Sequence, residues 1–195
     1  MIRLATPNDG QGCLEIYGYY ISHTAITFEI TIPSIEDFSK RMAKKLETHP
    51  WLVCEKDGQI VGYAYSNAYR VRWAYQWSVE CTVYVHKDFR GRKIGKGLYT
   101  ALLGLLKLQG FQNVYAGIVP PNVGSFGLHQ KMGFRRIGSY DKVGFKNGEW
   151  HDVVWLSLDL GTHPNQPIST LGMETAQLLP EWQASIAAGN ALLQI

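Results

Sequence analysis

The sequence predicts a mixed α/β domain in which antiparallel strand pairs surround a central strand–loop–helix unit, and three observations carry that prediction. Trp51–Lys56 and Gln59–Tyr69 are β-type runs separated by Asp57-Gly58, the strongest short hairpin signal in the chain. Phe134–Val143 and Trp150–Leu158 form a second such pair around the turn Lys146-Asn147-Gly148. Between the two pairs, Trp77–Leu108 opens as a strand ending in Thr82-Val83-Tyr84-Val85, breaks through a basic, glycine-bearing loop, and continues as a helix of Leu and Ala. Strands interleaved with helices in this order give an α/β architecture.

The remaining elements follow from local signals. Ile2–Ala5 is short and apolar enough for a first or edge strand, and Thr6-Pro7 with Asp9 announces a helix over Gln11–Ser22 that buries Leu14, Ile16, Tyr17 and Tyr20. Thr24–Ile32 is rich in β-branched residues and carries Phe28-Glu29 at its middle, a short strand or an extended loop. Ser34, with Glu36 and Asp37 behind it, caps a second helix whose Phe38, Met42 and Leu46 recur at four-residue spacing. Asn113–Val119 is a strand stopped by Pro120-Pro121. Asn122 then caps a helix through Lys131, which Gly133 terminates. From Gly161 the character changes to a THPNQP linker and a weakly apolar stretch with one short helix near Glu181–Leu193. Residues 1–160 are therefore expected to form the domain, and 161–195 either an unordered tail or an arm on a neighbouring subunit, not a separate domain.

Composition narrows the class. At 195 residues, 46% hydrophobic and 18% charged, the chain is long enough for one domain with a real core. A pI near 8.7, without basic residues gathered on a helical face, does not indicate nucleic-acid binding. No apolar run approaches a membrane span and the N-terminal residues lack a signal-peptide core, so the expected location is the cytoplasm. Cys13, Cys54 and Cys81 have no metal-ligand spacing and read as reduced core thiols; no metal is expected.

Charge is concentrated in one place. Lys87, Arg90, Arg92, Lys93 and Lys96 against Asp88 give the central loop +4, whereas the whole chain carries +3. A loop feeding a helix N-terminus turns several N–H groups and the positive end of the helix dipole toward one point. Arg90-Gly91-Arg92-Lys93-Ile94-Gly95-Lys96-Gly97 is neither a P-loop nor a dinucleotide fingerprint. On spacing alone it is either a phosphate cradle or a solvated basic turn. Glu80, between Val79 and Cys81 in an apolar strand, is costly unless exposed, paired or used. In a regular strand Glu80, Thr82 and Tyr84 share one face.

These pieces resemble the GNAT N-acetyltransferases, and within them the phosphinothricin and methionine-sulfone acetyltransferase branch. The resemblance rests on Pro50-Trp51-Leu52-Val53, Ala74-Tyr75 and Trp77 before Glu80, Thr82-Val83-Tyr84-Val85, the Arg-x-x-x-x-Gly loop, Leu98-Tyr99, Gln109-Gly110-Phe111, Asn122 with Ser125 and His129, and Gly144-Phe145-Lys146 with Gly148-x-Trp150-His151-Asp152. They run in unbroken order over about residues 1–160 and leave the tail uncovered. The resemblance implies a GNAT fold, a mixed, mostly antiparallel sheet with a splayed central strand pair. It implies acetyl-CoA as co-substrate, held by Val83, Tyr84 and Val85, by Arg90, Gly91, Arg92, Lys93, Ile94, Gly95 and Lys96, and by Asn122 and Ser125. Lys93 stands where the family signature has its first glycine.

By the same resemblance Glu80 is the general base and His129, seven residues after the capping Asn122, protonates the departing thiolate or anchors substrate. The Arg70–Trp77 loop has two readings: a surface loop whose aromatics cover the sheet, or an acceptor wall in which Arg72 clamps a carboxylate and Trp73 and Tyr75 line the pocket. Phe28, Glu29, Cys81 and Thr82 complete the acceptor side. The implied reaction is acetyl transfer to a small amino-acid-like amine by direct attack, in a homodimer. The competing readings are an acetyltransferase for a polyamine, aminoglycoside or protein N-terminus, and a non-catalytic acyl-CoA sensor.

Overall fold

In the computed structural model, which describes residues 1–195, the chain runs β1 (Ile2–Leu4), α1 (Gly10–His23), α2 (Ile35–Leu46), β2 (Trp51–Lys56), β3 (Gln59–Ala68), β4 (Ser78–Val85), α3 (Ile94–Gln109), β5 (Asn113–Ile118), α4 (Val123–Lys131), β6 (Arg135–Lys146), β7 (Glu149–Asp159), α5 (Met173–Gln177) and α6 (Pro180–Asn190). Asp57 and Gly58 take φ of +50° and +79°, so the two-residue turn matches strand twist and joins β2 to β3 as expected. Thr24–Ile32 forms no strand. It is the extended connection between α1 and α2.

All seven strands lie in one sheet, ordered β1-β2-β3-β4-β5-β7-β6. Every pairing is antiparallel except β4 with β5. Strand alternation sorts the central residues. Val79 and Cys81 of β4 enter the main core with Leu98, Leu102 and Leu105 of α3, while Tyr84 enters a second core with Tyr17, Phe38 and Trp51 beneath α1 and α2. The three cysteines are free and buried. No helix is long and apolar enough to cross a membrane.

The last stretch differs from either expectation for it. Residues 173–190 fold as α5 and α6 on the chain's own α3, burying Met173, Ala176, Trp182 and Ile186 in the main core. The approach is close because small residues meet. A Cβ added to Gly189 would lie 2.5 Å from the Gly97 carbonyl oxygen, and Gly104 of α3 faces Ser185. At the helix end the Asn190 side chain accepts from the Ile2 N–H (2.6 Å) and donates to the Ile2 carbonyl (3.0 Å). One amide thus satisfies backbone groups of edge strand β1, where another chain would otherwise pair.

Candidate active site

The site begins where two strands part. β4 pairs with β5 only at Ser78, Val79 and Glu80, although β5 continues beside β7 to Ile118. On its other side β4 stays on β3 through Val85. The His86 N–H bonds the Val61 carbonyl and the Tyr69 N–H bonds the Ser78 carbonyl, so even-numbered residues of β4 direct their amides to β3. The amides of Val83 and Val85 therefore face the gap that β5 has left. Tyr84, expected to act with them, turns its N–H to β3 and buries its side chain instead.

Glu80 is the last paired residue before the gap. Burial raises its carboxyl pKa above the ordinary range, partly offset by the charges of Arg70 and Lys45. It borders a cavity of ≈ 230 Å³ together with Cys81, Thr82, Val83, Tyr84, Asn122, Ser125 and His129, so the structure gathers eight of the expected site residues. Cys81 borders it from the α3 side, and burial pushes its thiol pKa up.

His129 is 3% exposed. Its Nδ1 lies 2.8 Å from the Ser125 carbonyl oxygen, which can only accept, so Nδ1 carries the proton. Nε2 lies 3.1 Å from the Tyr99 hydroxyl. Burial lowers the imidazole pKa, so at neutral pH the ring is uncharged and Nε2 accepts the Tyr99 hydrogen. Asn122 caps α4 by accepting from the Ser125 N–H at 3.1 Å, which orders the turn on which His129 stands.

The basic loop leads to the same place. Lys93 has φ +58°, a left-handed conformation that suits glycine, and Gly91 has φ +78°. No side chain caps α3, and the Gly97 N–H closes the first turn on the Lys93 carbonyl. The earlier amides of that turn have no partner further up the helix, as an anion site requires. Ile94 offers only its amide, since its side chain is 1% exposed. Gly91, Arg92, Lys93 and Lys96 are exposed around it, while Arg90 donates to the Tyr20 hydroxyl at 3.2 Å. Gly95 sits against Leu128 of α4, which brings this turn beside the cavity wall. The cradle therefore suits a phosphorylated ligand, and Gly95 adjoins Val83 and Val85 at the β4–β5 gap.

The acceptor-side expectations are scattered. Arg72, Trp73 and Tyr75 lie on the exposed connection from β3 to β4, outside the enclosed cavity, with Trp73 77% exposed. Glu29 pairs with Arg41 of α2 at 2.5 Å, and Phe28 packs on Gly144 rather than lining the cavity. Tyr17, Thr27, Tyr65 and Tyr99 do line it and were not among the expected residues. Tyr17 and Thr27 share a 2.7 Å hydrogen bond, and Tyr65 stands opposite Thr82 in the β3–β4 register. Only pairing register reveals that last neighbour. Tyr99 entered the sequence reading only within the Leu98-Tyr99 match, with no role assigned to it.

A seven-stranded sheet split after a half-buried glutamate, with an uncapped basic helix start beside the split, defines an acyl-transfer enzyme. The sequence profile of the acetyltransferase (GNAT) domain matches residues 2–155, and the chain belongs to that family. Its relatives place it further. It is 36% identical to a phosphinothricin N-acetyltransferase of Streptomyces viridochromogenes, over 81% of this chain and 86% of that one. It is 31% identical to the methionine sulfoximine/methionine sulfone acetyltransferase of Salmonella typhimurium, over 83% and 95%. A phosphinothricin acetyltransferase from Sinorhizobium meliloti, solved in complex with acetyl-CoA, superposes with a TM-score of 0.82 at 32% identity, covering 86% of this chain and 92% of that one. The protein is an N-acetyltransferase.

Proposed function

We propose that this enzyme moves acetyl from acetyl-CoA to the amine of a small amino-acid-like acceptor of the phosphinothricin, methionine sulfoximine or methionine sulfone type, by direct attack in a ternary complex. The observation that carries the reading is the juxtaposition of the half-buried Glu80 with the gap between β4 and β5. An α-ammonium group has a pKa of roughly 7.7–8.0, and a carboxylate whose own pKa is raised accepts its proton at less cost than an ordinary glutamate. The Val83 and Val85 amides supply donors for the thioester oxygen as charge develops there. The uncapped start of α3 and its lysines hold the phosphates. The named relatives act on amino-acid-like amines, which favours such an acceptor over a polyamine or an aminoglycoside.

His129, neutral and with its only N–H committed to Ser125, is a positioning residue in this scheme: its Nε2 accepts the Tyr99 hydrogen and anchors that hydroxyl at the cavity wall, while the departing thiolate takes the proton that the acceptor nitrogen sheds on becoming an amide. His129→Gln and Tyr99→Phe are then expected to lower kcat by a similar factor, on the order of 10-fold or more, and the double variant little further, since paired residues are non-additive. Full additivity would separate the two residues.

A thiol-release assay with acetyl-CoA and a panel of amines tests the acceptor. Activity is expected with methionine sulfone and phosphinothricin and not with spermidine or kanamycin. Arg72→Ala is expected to raise the acceptor KM by about 10-fold or more with kcat nearly kept, as for a lost carboxylate clamp. An unchanged KM would remove Arg72 from the site.

The homodimer is part of the same proposal. β6 is the free edge of the sheet, and Tyr140, Val143, Phe145 and Trp150 of its hairpin are 48–62% exposed, an apolar face that a second copy would cover.

A further inference from the structure

Lys93 holds a strained backbone in the motif where its family signature carries glycine, and such strain persists only when surrounding structure over-determines it. The structure contains a specific restraint. The Gln194 N–H donates to the Arg92 carbonyl oxygen at 3.2 Å, and Leu193 packs at Gly97 in the first turn of α3. These residues follow α6, which is fixed at Gly97 by Gly189 and at Ile2 by Asn190. All of them lie beyond residues 2–155, the part that matches the family.

In a trans peptide the C=O and the next N–H point in opposite directions. Tying the Arg92 carbonyl to Gln194 therefore turns the Lys93 N–H away from the C-terminal segment and fixes the peptide plane that leads into the strained residue. We propose that the segment after α6 is a positioning device for the phosphate cradle, holding Arg92–Lys93 in the conformation that a glycine would adopt unaided. The inference rests on the coenzyme reading above. It assigns residues 191–195 a role in coenzyme affinity and none in the chemistry at Glu80.

The test compares two acetyl donors in the full-length protein and in two variants, Gln194→Pro, which removes the N–H, and a chain ending at Leu193. The expected result is a 3- to 10-fold rise in the KM of acetyl-CoA, the value of one lost hydrogen bond. The kinetics with acetyl-pantetheine, which has no phosphates, are expected to stay unchanged. In a Lys93→Gly background, which loses the lysine charge and the strain together, either change should raise the acetyl-CoA KM by less than about 2-fold relative to Lys93→Gly alone, because glycine adopts the positive φ without help. Equal losses with both donors would mean general destabilisation and overturn the proposal, as would no change with either. Failure of the unmodified protein to bind acetyl-CoA is a different result and would defeat the coenzyme reading itself.

Discussion

Glu80→Gln is expected to lower kcat by about 10²- to 10⁴-fold while leaving the KM for acetyl-CoA within a few-fold, the range for loss of a positioned general base. Burial sets the accompanying pH dependence. With its folded pKa raised, Glu80 ionises above the ordinary glutamate range, so kcat/KM in the wild-type enzyme falls as pH drops through that higher value. The acceptor's own ammonium also produces an acid limb. Acceptors of different amine pKa separate them, because the limb that stays fixed belongs to Glu80 and should vanish in the glutamine variant.

Stability moves the other way. A carboxyl whose folded pKa exceeds its unfolded value costs folding free energy as pH rises through the folded pKa. The neutral glutamine removes that cost, so the variant should be at least as stable as wild type at neutral pH. Lost activity then cannot be ascribed to unfolding. Retention of kcat near the wild-type value would remove the base from the mechanism.

Trp182→Ala is expected to destabilise the whole domain by about 3–5 kcal/mol, the usual cost of emptying a buried tryptophan site. Trp182 is 2% exposed and shares the main core with Met173, Ala176 and Ile186. Ordinary domains have only about 5–15 kcal/mol in total, so the loss is a large fraction. At a urea m-value of about 2 kcal/mol/M the midpoint falls by roughly 1.5–2.5 M in a single transition. An arm seated on a neighbour would behave differently, with an unchanged midpoint and altered association. In sedimentation at micromolar concentration the wild-type protein should be dimeric, and the folded variant likewise, because the proposed interface is the β6–β7 hairpin. A monomeric wild-type protein would refute the dimer.

The legible parts of this protein were those encoded by short-range chemistry. Asp57-Gly58 specified a hairpin because both residues tolerate positive φ. Ser34 and Asn122 marked helix starts because their side chains satisfy first-turn amides, and the structure contains both bonds. Gly133, at φ +92°, ended α4 as its position implied. The C-terminal segment was harder to read. Its packing depends on Gly97, Gly104, Ser185 and Gly189, small residues whose value lies in how near two backbones come, and a scan for apolar periodicity gives them no weight.

By itself the sequence determined the strand and helix order, the local excess of positive charge, and the one carboxylate stranded in an apolar strand. Tertiary structure alone decided where β5 leaves β4, which of the amides in Val83–Val85 are left free, which tautomer His129 adopts, and that the chain's last residues return to the phosphate turn. The division is physical. Turns, caps and charge depend on neighbours a few positions away, whereas a free amide or a committed imidazole proton depends on which distant group has taken the alternative partner.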